Sequence, residues 1–241
     1  MITEILLKDR TTGKNIIWAN GNNPTREIQP SEVKFIEPRW KKLREHQKIR
    51  TKTRAEIFTP PEVCEIQNNL IDADKKLLEE YISAKFLEIT CGEAPYIVSR
   101  YNAVTGEPIK IENRVGLLDK KFCVINTETK TLNDWIDFAV KAVKSVYGYE
   151  FQGDNLFLAR KNVFDSVIDY FTEKFSCKPP EDFLSEVAEI ISWNFWQMDG
   201  FTCSPPFMES TNLFGGANCR IKDWSTGESF EFAELLVGGR R

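Results

Sequence analysis

The chain has 241 residues, 41% of them hydrophobic and 28% charged, with a formal net charge of −4. That is enough chain for one domain with a full apolar core, and the balance excludes a disordered polymer. No apolar run approaches the roughly 18 residues of a membrane span, and Met1-Ile-Thr-Glu-Ile-Leu-Leu-Lys8 lacks the pattern of a secretion signal, so a cytoplasmic protein without membrane contact is expected. The six cysteines form no CxxC pair and His46 is the only histidine. Reduced thiols are therefore expected, with neither a metal site nor a Cys-His nucleophile.

Residues 1–50 are expected to form a hairpin and a basic arm. Ile5 to Trp18 suggests two strands around a turn with Gly13 at positive φ. Lys222-Asp-Trp-Ser-Thr-Gly-Glu228 repeats the Lys-Asp-x-Ser/Thr-Thr-Gly pattern of the first turn, which predicts a second hairpin over 219–235. A polar stretch with Pro24, Pro30 and Pro38 leads into the basic block. There, Arg39, Lys41, Lys42, Arg44, Lys48, Arg50, Lys52 and Arg54 are set against Glu45 alone. Such a block can pair with the phosphates of double-stranded DNA although the whole chain is acidic. The same residues also suit a solvated helix face or connector.

The remainder, 51–241, is predicted to be one α/β domain. Thr59 is the expected cap of a helix over about Pro61–Ile71 that could run on to Tyr81, with Pro60 at the first helical position and Glu62 completing the capping box. Phe86-Leu-Glu-Ile-Thr-Cys-Gly-Glu-Ala-Pro95 predicts a buried strand that breaks into a tight turn, with Glu88 at its mouth and Gly92 giving the backbone its freedom. A short helix over 96–101 and an insertion over 102–130 should follow, the latter containing a strand at Phe122–Ile125. The apolar spacing of Trp135, Ile136, Ala139, Val140, Val143 and Val146 predicts an amphipathic helix over 133–146. An aromatic strand then ends at Glu150, where doubly wound folds place an acid for a ribose diol. Helices are expected over 154–175 and 181–191, divided by Pro179-Pro180, before an aromatic run containing Asp199-Gly200.

Taken together, Ala55-Glu-Ile-Phe-Thr-Pro60, Leu87-Glu-Ile-Thr-Cys-Gly-Glu-Ala-Pro95, Gly148-Tyr-Glu-Phe-Gln-Gly-Asp-Asn-Leu-Phe-Leu-Ala-Arg160 and Ile191-Ser-Trp-Asn-Phe-Trp-Gln-Met-Asp-Gly200 give a resemblance. Over about residues 50–235 the chain resembles the adenine-specific DNA methylases of restriction-modification systems, including the modification subunits and a short group labelled restriction endonuclease or modification subunit. The resemblance implies a Rossmann-like S-adenosylmethionine-dependent methyltransferase fold, shortened and flanked by the two β-hairpins. It implies Phe58, Thr59 and Pro60 near the methionine end of S-adenosylmethionine, with Glu88, Thr90, Cys91 and Gly92 forming the turn beneath it. It assigns the ribose to Glu150 and the adenine to Phe151, Asp199 and Phe201. Family members hold a flipped adenine with Asn/Asp/Ser-Pro-Pro-Tyr/Phe, which Ser204-Pro205-Pro206-Phe207 matches.

Three departures accompany the match. The turn after Glu88 has one glycine where these enzymes often have two, four residues separate Asp199 from Ser204, and 34 residues (241 − 207) follow Phe207. Two functional classes therefore compete. One is a shortened methyltransferase acting on the adenine amino group, with a specificity or restriction subunit as a further partner. The other is a non-catalytic adaptor that keeps the methylase framework and binds DNA or a partner subunit. Nuclease chemistry lacks an Asp…Glu-x-Lys metal cluster.

Overall fold

The computed structural model describes residues 1–54, 56–71, 77–208 and 218–236. It is a mixed α/β protein built on a three-stranded parallel sheet in the order β1 (Phe86–Glu88), β2 (Val146–Glu150), β3 (Phe195–Gln197). Crossovers of helices join the strands: α5 (Leu117–Glu128) and α6 (Leu132–Lys144) lie between β1 and β2, then α7 (Gly153–Phe175) and α8 (Glu181–Asn194) between β2 and β3. Ahead of the sheet come α1 (Ile2–Leu7), α2 (Arg44–Arg54), α3 (Pro61–Ile71) and α4 (Leu78–Ser83). An antiparallel hairpin, β4 (Arg220–Lys222) and β5 (Ser229–Glu231), and the short α9 (Ala233–Leu236) follow it.

The predicted helices over 133–146, 154–175 and 181–191 are present as α6, α7 and α8, except that α6 stops at Lys144 and Val146, expected on its apolar face, opens β2. Their starts are written locally. Thr131 caps α6 by accepting the Asp134 N–H at 3.1 Å, and Pro180 precedes α8. Their apolar faces meet around Trp135, which is fully buried between Phe122, Phe171, Phe175 and Phe183 while its indole N–H donates to Asn126 Oδ1 at 2.6 Å.

The sheet faces differ in what covers them. Successive strand side chains point to opposite sides, so Val146 and Phe195 join the helical core. Tyr149 and Trp196 pack instead against Ile221, Phe230 and Phe232 of the hairpin. At the β3 edge, residues 16–18 run alongside: Ile17 N–H donates to Gln197 Oε1, and Gln197 Nε2 returns a bond to Ile17 O, both at 2.8 Å. Arg160, fully buried on α7, donates to the carbonyls of Leu6, Lys8, Ser192 and Phe195 and so pins the N-terminus to the sheet.

Several expectations are corrected. The first arm of the N-terminal hairpin is the helix α1, because Ile2, Ile5 and Leu6 fall at helical spacing on one face, which lies against α8. The hairpin shrinks to the single bridge Lys8↔Asn15 around the expected turn, where Gly13 has φ +73°. Residues 96–101 are turns and loop, with Ala94 at φ +62° and Pro95 ahead of them, and Phe122–Ile125 belongs to α5. That helix buries Leu117, Leu118, Phe122 and Ile125 along one face. The helix after Pro60 is described to Ile71, and residues 72–76, like Ala55, lie outside the described residues; the expected run to Tyr81 is interrupted at Leu77, whose φ −54° and ψ 149° are not helical and which precedes the separate helix α4.

Candidate functional site

A cleft of about 480 Å³ opens at the C-terminal ends of β1 and β2. Glu56 to Phe58, Thr90, Gly92 and Glu150 to Gln152 line it, with Lys52 and Arg54 of α2 and Asn155 of α7 completing the wall. Glu150 is its centre. One carboxylate oxygen accepts the Gly92 N–H at 2.9 Å, the other the Gln152 N–H at 3.0 Å. Burial pushes its carboxyl up to about 7; the two backbone donors oppose that rise, while Asp154 and Glu56 nearby add to it.

The turn below β1 forms as expected at Gly92, with φ +55°, and the Phe58 ring would lie 3.6 Å from an added Cβ. Thr90 also takes positive φ, at +51°. Cys91 is buried, its thiol raised first by that burial and then by Glu88 and Glu150. Glu88 turns to the backbone N–H groups of Tyr96 and Ile97. Burial holds its carboxyl well above the usual range, and Oε2 has no hydrogen-bond partner. Cap geometry at α3 is shifted by one residue: the Pro60 carbonyl accepts the Val63 and Cys64 N–H groups, so Pro60 is the cap and Pro61 opens the helix. Thr59 contributes its carbonyl to the Cys64 thiol instead.

The aromatic run places only part of its residues at the cleft. Phe207, at φ +62°, sets its ring edge-on to the cleft residue Phe151, with centroids 5.5 Å apart. Ser204 is buried; its hydroxyl donates to Met208 O at 3.0 Å and lies 2.7 Å from Thr202 Oγ1. Pro205 and Pro206 are buried beside it. Asp199 makes a turn, accepting the Phe201 N–H at 2.9 Å and pairing through its backbone with Ser204. Phe201 is fully exposed and closes no pocket in this conformation.

Within the basic block, Arg39, Lys42 and Arg50 face inward. Lys42 and Arg50 pair with Asp154 at 3.1 and 2.9 Å, Arg50 also pairs with Glu56, and Arg39 lies 3.7 Å from Glu56. Burial alone would raise the Asp154 carboxyl, but the Lys42 and Arg50 charges reverse this and hold it below its ordinary value. Lys41, Arg44, Lys48, Lys52 and Arg54 remain exposed. Glu56, Gln152, Asp154 and Asn155 lie within the recognised motifs but carry no role in the sequence-based expectation. Four acids and amides gathered beside glycine and aromatic residues were the available signal.

Fit to a nucleoside rests on what lines the cleft. Gln152 Oε1 is a buried acceptor without a hydrogen-bond donor, Glu56 Oε1 makes no hydrogen bond but faces Arg39 Nε at 3.7 Å, Glu150 is a further acceptor, and Phe58 and Phe151 offer rings. Among the described residues no cluster of ligating side chains could hold a metal ion, and no helix is long and apolar enough to cross a membrane. No family model, curated protein or solved structure matches the chain.

Proposed function

We propose that the cleft binds S-adenosylmethionine and that the chain is a Rossmann-like methyltransferase of the adenine-specific DNA type found in restriction-modification systems. The observation that carries this reading is Glu150, an acceptor at the C-terminal end of the central parallel strand with a nucleoside-sized cleft in front of it. The strand order agrees with one βαβαβ half of a doubly wound sheet, in which ligands bind beyond the carboxyl ends of the strands. Helices cover one face, and the β4–β5 hairpin stands where a second half would put helices on the other.

When bound, S-adenosylmethionine supplies an electrophilic methyl group on a sulfonium. Glu150 accepts hydrogen bonds from the ribose hydroxyls, and Phe58 and Phe151 exclude water from the apolar parts of the ligand. Adenine's amino nitrogen is a weak nucleophile, so the base must leave the duplex and be held in line. Phe207 is suited to stack on that base beside Phe151, while Ser204 Oγ and the Pro205 carbonyl are the acceptors that would orient the amine. Lys41, Arg44, Lys48, Lys52 and Arg54 supply exposed positive charge for the DNA backbone.

A second reading, the non-catalytic adaptor, is favoured by Ser204, whose buried hydroxyl is already engaged with Thr202 and Met208. Calorimetric titration with S-adenosylmethionine tests the first reading. Heat of binding that Glu150→Ala weakens supports it, and no heat at millimolar cofactor sinks it. Transfer of a labelled methyl group to duplex DNA then separates enzyme from adaptor: binding without transfer leaves the adaptor.

A further inference from the structure

Helix α3 carries its apolar stripe on the outside. Among its described residues only Cys64 and Asn68 are buried, and the hold of Asn68 is polar, since Nδ2 donates to Tyr96 O and Val115 O at 3.0 Å each. Val63, Ile66 and Leu70, spaced as one helical stripe, are 40%, 64% and 77% exposed. Amphipathic helices bury such a stripe against their own core. A solvent-facing run of this kind is the mark of a helix that docks elsewhere.

The charges on α3 indicate what it meets. Its ionisable groups that carry charge are Glu62 and Glu65, and it holds no lysine, arginine or histidine. Both glutamates are exposed along one flank of the stripe, and among the described residues the basic side chain bonded to α3 is Lys120 of α5, which donates to Asn69 Oδ1 at 2.7 Å one turn beyond Glu65. An antiparallel second copy would set this acidic flank against itself, and a parallel copy would leave it without opposite charge. We infer that the outward face of α3 docks an amphipathic helix of another protein, one whose aliphatic stripe is bordered by lysine or arginine. The inference is independent of the methyltransferase reading, because α3 presents this stripe whatever the cleft binds.

The test uses two labelled helical peptides with the same leucine stripe, one flanked by lysines and the other by glutamates, titrated into the full chain by fluorescence anisotropy. The lysine peptide is expected to bind roughly tenfold or more tightly than the glutamate peptide. Ile66→Ser with Leu70→Ser should abolish that binding without lowering the thermal midpoint, since both side chains are exposed. Glu62→Lys with Glu65→Lys should transfer the preference to the glutamate peptide. Equal binding of the lysine peptide by the serine variant, or no binding by the wild-type chain, overturns the proposal. Sedimentation of the chain alone completes it: a dimer that the serine pair dissolves would make the occupant a second copy and refute a basic partner.

Discussion

Gly92 N–H donates to Glu150 Oε2 at 2.9 Å, so the turn after β1 and the end of β2 are held together by an acid that also faces the cleft. The acid performs this task under a burial penalty. Its carboxyl, about 4.5 in an ordinary setting, is raised to about 7 in the folded chain. The folded state therefore holds this proton more tightly than the unfolded state, and the stability it contributes is fully present below pH 4.5 and lost as the pH rises through 7. A shift of this size corresponds to about 3 kcal/mol.

Glu150→Gln should remove that part of the pH dependence. Urea unfolding at several values between pH 5 and 8 would show the wild-type chain losing stability from this site as pH rises, with a flatter curve for the variant. On the proposed ribose role of Glu150, cofactor affinity should move the other way in the wild-type chain, weakening below about pH 7 as its carboxylate becomes protonated. An affinity independent of pH would separate Glu150 from the ribose.

Glu56 makes a second prediction, because it holds the basic helix in place. Helix α2 buries none of its own residues, yet Arg50 reaches from it to Glu56 and Asp154, and Glu56 also accepts from Asn155 Nδ2 at 3.1 Å. Glu56→Ala removes one anion from a buried cluster and should cost about 3 kcal/mol. The loss should be accompanied by faster amide exchange across 44–54, while α6 to α8 keep their protection. Uniform loss of protection would mean that the cluster supports the whole domain rather than α2.

These long-range pairs explain much of what the sequence conceals. The eight cations of the basic block look alike in one dimension, and nothing within the block says that Lys42 and Arg50 meet Asp154 more than a hundred positions away. Elements set by local rules were legible: α6, α7 and α8 from their apolar period, and the Asp9 and Asp223 turns from their chemistry. In both turns the aspartate accepts a backbone N–H two residues on, and a glycine at positive φ donates to the aspartate carbonyl. Asn102 to Gly106 repeats the arrangement. Short apolar runs were not legible, because Ile5-Leu6-Leu7 and Phe122–Ile125 satisfy helix and strand equally until a packing partner is known. In the candidate site, strand-end position picked out Glu150 but could not distinguish it from Glu88, which turns under the 96–97 backbone.

Phe207 supplies a prediction about chemistry. Its ring is half exposed and touches Phe151 edge-on, and it is held by a backbone conformation unusual for a side-chain-bearing residue. If the ring stacks on a flipped base, Phe207→Ala should lower methyl transfer by about 10- to 100-fold, the range expected for one lost base stack. Phe207→Trp should retain most of the activity. Cofactor binding, measured separately, should change little in either variant, and equal transfer by wild type and Phe207→Ala would remove the ring from the active site.

Gly153 tests whether the cleft depends on the N-terminal segment. It opens α7 directly after the cleft residue Gln152, its N–H donates to Trp18 O at 3.2 Å, and an added Cβ would lie 1.9 Å from Ile17 O. That carbonyl cannot simply withdraw, because it accepts from Gln197 Nε2, which also donates to Phe151 O at 2.9 Å. Gly153→Ala should therefore displace residues 16–18, strain the hold on Phe151 and cost about 3 kcal/mol. For a chain of this size that is a fall of roughly 6 to 12 °C in thermal midpoint. Gly13→Ala is the control: its φ is +73° but no atom lies within 4 Å of the added methyl, so only the backbone term of about 1 kcal/mol applies. A smaller loss at Gly153 than at Gly13 would show that residues 16–18 can move away from α7 without disturbing the cleft.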